Sequence, residues 1–246
     1  MTKHIGETWT NSVGDKATIV QYVKYNEVYV QFEGYKETVC YRYNNLKNGQ
    51  FKNPFAPLIY GVGYIGVGKY VTKINGKRTR YYEVWVSMIR RCYSGESRFS
   101  AWHDCIVEDD WHNFQTFAKW YEENYYEVDN DVMCLDKDIL NKGNKVYSSK
   151  TCCFVPNRVN TLLINCRNAR GDLPLGVHMQ DNYYIVQCCN DGKQEYVGLY
   201  YSKNDAFKAY KVYKENIIKN VARKYKDIIP QKVYDALMSW QIEISD

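Results

Sequence analysis

The chain has 246 residues, enough for one large domain or two to three small ones. No run approaches the eighteen or more apolar residues of a membrane span, and Met1-Thr2-Lys3-His4 leads into Gly6-Glu7-Thr8-Trp9 without the apolar core of a secretory leader. A non-membrane protein working inside a cell is therefore expected. The formal net charge of +5 is uneven: between Lys203 and Lys226 eight cations face only Asp205 and Glu215, a local net of +6 that leaves −1 for the rest. Such concentration is expected of a module that neutralises phosphates.

Residues 1–57 alternate apolar and polar in short β-rich runs, Ala17 to Tyr22, Glu27 to Phe32 and Thr38 to Tyr41, separated by Gly14-Asp15, Tyr25-Asn26 and Glu33-Gly34. This meander predicts a small SH3-like or Tudor-like β-barrel, a fold that specifies no function by itself. Pro54, Pro57 and the glycine-rich stretch 61–68 mark the next boundary. No P-loop Lys-Ser/Thr follows those glycines, so they read as a β-turn segment rather than a nucleotide cradle. Two amphipathic helices are expected over 84–93 and 111–121, with their aromatics in a core. Arg90 and Arg91 lie where either could reach a backbone phosphate.

Cys134 to Leu140, Asn141 to Lys145 and Phe154 to Asn160 then read as strand, loop, strand and helix, with Asp136, Asp138 and Asn160 near its two ends. Oxygen ligands of this kind suit a hard divalent cation, since Mg²⁺ takes one or two protein oxygens and keeps waters and a substrate phosphate. In a regular strand Asp136 and Asp138 would share one face and Lys137 the other, so for Asp136 and Lys137 to reach one phosphate the chain must leave strand geometry there.

The segment resembles the metal-binding hairpin and helix of the HNH (ββα-metal) nucleases, over about thirty residues. In phage members of homing type an Asp-His pair ends the first strand, an Asn sits in the loop and a Trp-Val-Thr-x-x-Ile-Asn pattern enters the helix. Phe154-Val155-Pro156-Asn157-Arg158-Val159-Asn160 stands in the last place and Asp136 in the first. The resemblance implies metal ligands Asp136 and Asn160, with Asp138 beside them, and a phosphate contact from Arg158. Lys137 occupies the slot of the general-base His, and Thr151 or a neighbour takes the place of the loop Asn. A free Lys titrates near ~10.4, but a metal and partial burial disfavour its ammonium form. Lys137 as base, Lys137 as phosphate grip, a base supplied by His103 or His112, and lost catalysis all stay open.

After Gly171, three strands are expected, Leu175 to Met179, Tyr183 to Cys189 and Gln194 to Tyr200, with a turn at Asn190-Asp191-Gly192 and a long helix from Lys203. Gly176-Val177, Val197-Gly198-Leu199-Tyr200 and Ala206-Phe207-Lys208-Ala209-Tyr210 are similar to the AP2 DNA-binding domain, whose sheet enters the major groove. That resemblance implies DNA contacts from His178, Gln180, Tyr184, Gln187, Lys193 and Gln194. There is no arginine between Arg170 and Arg223, and because bidentate Arg to guanine is the commonest specific contact, AT-tolerant readout is expected.

The nine cysteines form no Cys-x-x-Cys; Cys152-Cys153 and Cys188-Cys189 are adjacent and the rest are scattered, so reduced core thiols are expected and no zinc site is supported. The 25 tyrosines, with many Lys and Asn, have the look of a nucleic-acid-binding composition, but the bland reading, an AT-rich coding sequence, is preferred and they carry little weight. The expected protein is α+β: an SH3-like barrel at 1–57, an HNH-like nuclease domain at 58–170 and an AP2-like domain at 171–246. Its expected role is that of a phage-encoded endonuclease or nickase acting on double-stranded DNA in the host cytoplasm, with Mg²⁺ or Mn²⁺ as cofactor. The rivals are a DNA-binding regulator or structural phage protein on a degenerate nuclease fold and, more remotely, a protein-protein adaptor.

Overall fold

The computed structural model describes residues 4–163 and 172–246, a mixed α and β chain that forms two compact units, Met1–Glu123 and Asn124–Asp246. This division coincides with neither of the boundaries drawn from the sequence. The first unit opens with an antiparallel meander of β1 (Thr8–Thr10), β2 (Lys16–Lys24), β3 (Glu27–Phe32) and β4 (Thr38–Tyr41), in that spatial order. Alternation along β3 sends Val28, Val30 and Phe32 inward to meet Ala17 and Ile19. The expected barrel does not close. Its edge strands are only three and four residues long, and the open face is covered instead by Leu46 of α1 (Tyr43–Lys47) and by Phe51 and Phe55 of the following loop.

A two-stranded ribbon, β5 (Lys73–Ile74) and β6 (Lys77–Arg78), precedes α2 (Arg80–Tyr93). On α2, Trp85, Met88, Ile89 and Cys92 recur at helical spacing and are buried. After β7 (Ile106–Val107), a short 3-10 turn over Asp109–His112 leads to α3 (Phe114–Asn124), which buries Phe114, Phe117, Ala118, Trp120 and Tyr121. Trp85 Nε1 donates to the Trp111 carbonyl at 2.7 Å, which satisfies the indole inside the apolar cluster. The aromatics of both helices are core residues. The glycine-rich segment is a turn held against α3: Gln115 Nε2 donates to the Ile65 carbonyl.

The second unit begins with β8 (Met133–Asp136). A long loop containing β9 (Val146–Tyr147) leads to β10 (Cys153–Pro156), antiparallel to β8, and α4 (Asn157–Leu162) follows at once and packs on both strands. Next come β11 (Val177–Gln180), β12 (Tyr183–Asn190) and β13 (Lys193–Tyr200), a three-stranded antiparallel sheet. α5 (Lys203–Lys224) crosses all three strands, and α6 (Gln231–Met238) packs on α5. Ser202 caps α5, its Oγ accepting from the Asp205 N–H at 3.1 Å. Val155, Val159 and Ile139 of the ββα hairpin share one core with Val186, Cys188, Ala206, Ile218 and Val233. Hairpin and sheet thus stabilise each other rather than forming separate domains. The boundary expected near residue 170 falls among residues that are not described.

Candidate functional site

β8 ends at Asp136, and the chain then leaves strand geometry over residues 137–141. The carboxylate of Asp136 makes the turn: Oδ1 accepts from the backbone N–H groups of Asp138 and Ile139, both at 2.7 Å. Among the described residues no hydrogen bond reaches its Oδ2. Burial raises the Asp136 pKa despite those two donors, and Asp138 adds to the rise.

Lys137 points into the loop and is only 5% exposed. Its ammonium donates to Asp138 Oδ2 at 2.7 Å and to the Asn144 carbonyl at 2.8 Å, with the Tyr147 ring 5.8 Å away. Asn144 returns the contact. Its Nδ2 donates to the Lys137 carbonyl at 2.9 Å and to the Val146 carbonyl at 2.7 Å, while its Oδ1 accepts from the Val146 N–H at 3.2 Å. The loop is thus closed by a Lys and an Asn, each bonded to the other's backbone. Outside this ring, Lys142 Nζ binds Asp246 Oδ2 at 2.6 Å and the Gln241 carbonyl at 2.8 Å, tying the loop to the C-terminal segment.

Sequence reasoning gave the tie to Thr151 or a neighbour; Thr151 Oγ1 donates instead to the Val146 carbonyl and meets Ser148 Oγ at 2.9 Å, and among the described residues neither group is hydrogen-bonded to residue 137. The residue that holds position 137 is Asn144. Asp138 Oδ2 is engaged by Lys137, and among the described residues no hydrogen bond reaches Asp136 Oδ2 or Asp138 Oδ1. Asn160 is half-buried on α4, the helix packed on β8 and β10. Replacing Asn144 by Ala removes three hydrogen bonds worth about 1 kcal/mol each. Asn144→Ala is expected to lower the stability of the second unit by about 2–3 kcal/mol in urea unfolding, and a change below about 0.5 kcal/mol would contradict the clasp.

On the C-terminal sheet, cross-strand pairs put His178, Ile185 and Leu199 in one row, Gln180 with Tyr183, Gln187 with Tyr196, and Cys189 with Gln194. These side chains share the face opposite α5. Tyr196 is 64% exposed and Tyr201 82%, and the Tyr183 and Tyr201 rings meet edge-on at 5.3 Å. Of the six contacts expected from this sheet, His178, Gln180, Gln187 and Gln194 lie on that face. Tyr184 does not: it pairs with Tyr200 and packs on the core beneath. Lys193 sits at the turn, opposite Asn190 in the helix-facing register, and is exposed. Tyr183, Ile185, Tyr196 and Leu199 were missed. The signal for them was the pairing register counted outward from Asn190-Asp191-Gly192.

The other cations and histidines named as candidates from the sequence have local partners. Arg158 pairs with Asp191 at the β12–β13 turn. Arg90 makes a two-pronged bond to Glu96 at 2.7 and 3.1 Å, and Arg91 lies 5.8 Å from the Trp102 ring centroid. His103 is 3.2 Å from the Glu96 carbonyl and His112 lies 3.5 Å from Tyr93 Oη, both in the first unit. The thiol of Cys152 is pushed up to about 12 and that of Cys153 is raised further by burial, as inert core cysteines behave. No three His, Cys, Asp or Glu side chains gather into a metal-sized cluster among the described residues. No family model, curated protein or solved structure matches the chain.

Proposed function

We propose that the chain is a divalent-metal-dependent DNA endonuclease or nickase. The observation that supports this reading is the hairpin: a carboxylate at the end of β8 with one oxygen that takes no hydrogen bond among the described residues, an amide on the helix after β10, and an Asn that ties the intervening loop to residue 137. One carboxylate and one amide are a sufficient protein share for Mg²⁺ or Mn²⁺, which keep waters and take substrate oxygens. Asp136 and Asn160 would hold the ion. Bound there, it supplies Lewis-acid charge to the scissile phosphate and its leaving oxygen.

The residues of the loop act by position. The Asp138 and Ile139 N–H groups fix Asp136 so that Oδ2 is the oxygen it offers. Lys137 already has two acceptors and little access to solvent, so its role is to brace the loop rather than to take a proton from water. The outer face of the sheet carries amides that match adenine and apolar groups that match the thymine methyl, the chemistry of A·T readout in the major groove. The protein is proposed to act on double-stranded DNA inside a bacterial host.

A second reading follows from the burial of Lys137: with a structural cation in the general-base slot, the fold would serve to occupy DNA without cutting it. Supercoiled DNA incubated with Mg²⁺, Mn²⁺ or EDTA separates the two. Metal-dependent nicked or linear product is expected, reduced at least about 10²-fold in Asp136→Ala and Asn160→Ala proteins that still bind DNA. Full activity in both variants would sink the assignment. Binding without any metal-dependent product from the wild type would establish the second reading.

A further inference from the structure

The basic segment singled out in the sequence lies on α5, and its charge proves largely engaged. Lys203 binds the Asp172 carbonyl, Lys211 the Ile242 carbonyl and Glu215, Arg223 the Asn220 amide, and Lys214 is buried. The less engaged cations are elsewhere. Residues 69–80 carry five cations and not one acid; Lys69 and Arg80 at the ends pair with Glu122 and Glu83, and Lys73, Lys77 and Arg78 lie between them. Within this stretch β5 and β6 form a ribbon in which every residue from 73 to 78 is exposed. Asn75 and Gly76, at φ 50° and 77°, make the two-residue turn, of the type that matches strand twist.

Three features distinguish this ribbon from an ordinary solvated loop. Lys73 stands directly opposite Arg78, and like charges paired across strands destabilise a ribbon unless an anion lies against them. Neither Lys73 nor Lys77 has an ion-pair partner among the described residues, and the Arg78 guanidinium lies 5.8 Å from the Tyr82 ring centroid. The base is bolted down: Thr79, itself buried, donates through Oγ1 to the Val71 carbonyl at 3.0 Å and through N–H to the Thr72 carbonyl at 3.0 Å. Tyr70 exchanges backbone bonds with the Gln115 amide, and its hydroxyl and Lys69 Nζ both reach Glu122. A rigid finger loses little conformational entropy when its charges engage a partner.

We infer that the ribbon of Lys73, Ile74, Lys77 and Arg78 is a second DNA contact, gripping backbone phosphates independently of the C-terminal sheet. Phosphate gripping follows from the ribbon alone; the choice of duplex DNA over other polyanions rests on the function proposed above. Each phosphate neutralised adds about 0.9 to the slope of log affinity against log salt, so three contacts contribute about 2.7.

The test is the salt dependence of binding of the full chain to a duplex oligonucleotide. The wild type is compared with Lys73→Gln/Lys77→Gln/Arg78→Gln and with a control, Lys36→Gln/Lys47→Gln/Lys52→Gln, which removes the same charge from other exposed positions of the first unit. The ribbon variant is expected to keep the wild-type melting temperature, lower the slope by about 2–3 and bind at least about tenfold more weakly at low salt. An unchanged slope, an equal effect in the control, or binding of RNA but not duplex DNA overturns the inference. Asp136→Ala should retain the wild-type slope, so a wild type that binds but never cleaves would reject the nuclease reading and leave the ribbon standing.

Discussion

Gly176→Ala is expected to unfold the second unit under conditions where the first stays intact. Gly176 precedes β11 at φ +71°, and an added Cβ would fall 2.1 Å from two atoms of the Tyr210 ring and 2.7 Å from the Gln187 carbonyl oxygen. Tyr210 is 4% exposed in the core beneath the sheet, and the Gly176 carbonyl accepts from the Gln187 N–H at 2.9 Å. Neither the ring nor the strand can retreat without opening that core. Overpacking costs about 1–3 kcal/mol or more, and a left-handed non-glycine residue adds about 1–2 kcal/mol. A total of about 2–5 kcal/mol is a large share of the 5–15 kcal/mol typical of a domain. Gly192→Ala is the matched control, since Gly192 has φ +76° but nothing within 4 Å of the added atom, so only the backbone penalty applies. Urea unfolding read by labelling of Cys153 and Cys188, against Cys92 and Cys105 in the first unit, assigns the loss to one unit. Equal losses for the two alanines would show that the contact with Tyr210 carries no weight.

The left-handed Gly176 was not legible in the sequence, since the expected strand began at Leu175 and ran through it, whereas the β12–β13 hairpin was: Asp191 and Gly192 at φ 51° and 76° are what an Asn-Asp-Gly turn supplies. The register of β12 was not. Tyr183-Tyr184-Ile185-Val186 is apolar at every position, so the period of two is silent within that run and shows only when it is carried back along β12 from the turn; the irregularity between Val186 and Gln187 is taken up by Val197 of β13. That ambiguity placed Tyr184 on the wrong face. The open meander failed differently, because alternation specifies which residues point inward but not whether the two edge strands are long enough to meet.

The sequence offered Asp136 as a metal ligand but did not show the turn it caps, nor the burial of Lys137. A carboxylate at a strand end that caps the next turn is a local interaction, within three residues. Burial of a lysine depends on a partner seven residues away, the Asn144 carbonyl, and nothing in the identity of residue 137 signals it. The charge of α5 shows the same limit. Composition counts cations, whereas only the fold shows that most are engaged by neighbouring side chains and carbonyls and that an acid-free ribbon elsewhere leaves its charges exposed.

Asp136→Asn is expected to separate function from stability in opposite directions. The amide oxygen of Asn can still accept from the Asp138 and Ile139 N–H groups, so the turn survives the change. What disappears is an ionisable group that burial holds above its ordinary carboxylate range. For a group whose folded pKa is raised, the favourable contribution is complete below its unfolded value near ~3.9 and is lost as pH rises through the folded value. At neutral pH in EDTA the wild type therefore carries the penalty of a buried charge, and the Asn protein should be the more stable of the two. The gap should shrink as the pH falls below the unfolded carboxyl value, where Asp136 is neutral in both states. Added Mg²⁺ reverses the order: an ion that binds only the folded wild type raises its stability by about 2.7 kcal/mol at a hundredfold excess over its Kd, whereas the Asn protein lacks the charge that holds it. Cleavage should fall at least about 10²-fold in the same protein. A residue serving only the turn would leave the stability of both proteins indifferent to Mg²⁺. An Asp136→Asn protein less stable than wild type in EDTA at neutral pH, with melting of both proteins indifferent to Mg²⁺ and Mn²⁺, would reduce Asp136 to a turn cap and leave DNA occupancy as the function of this fold.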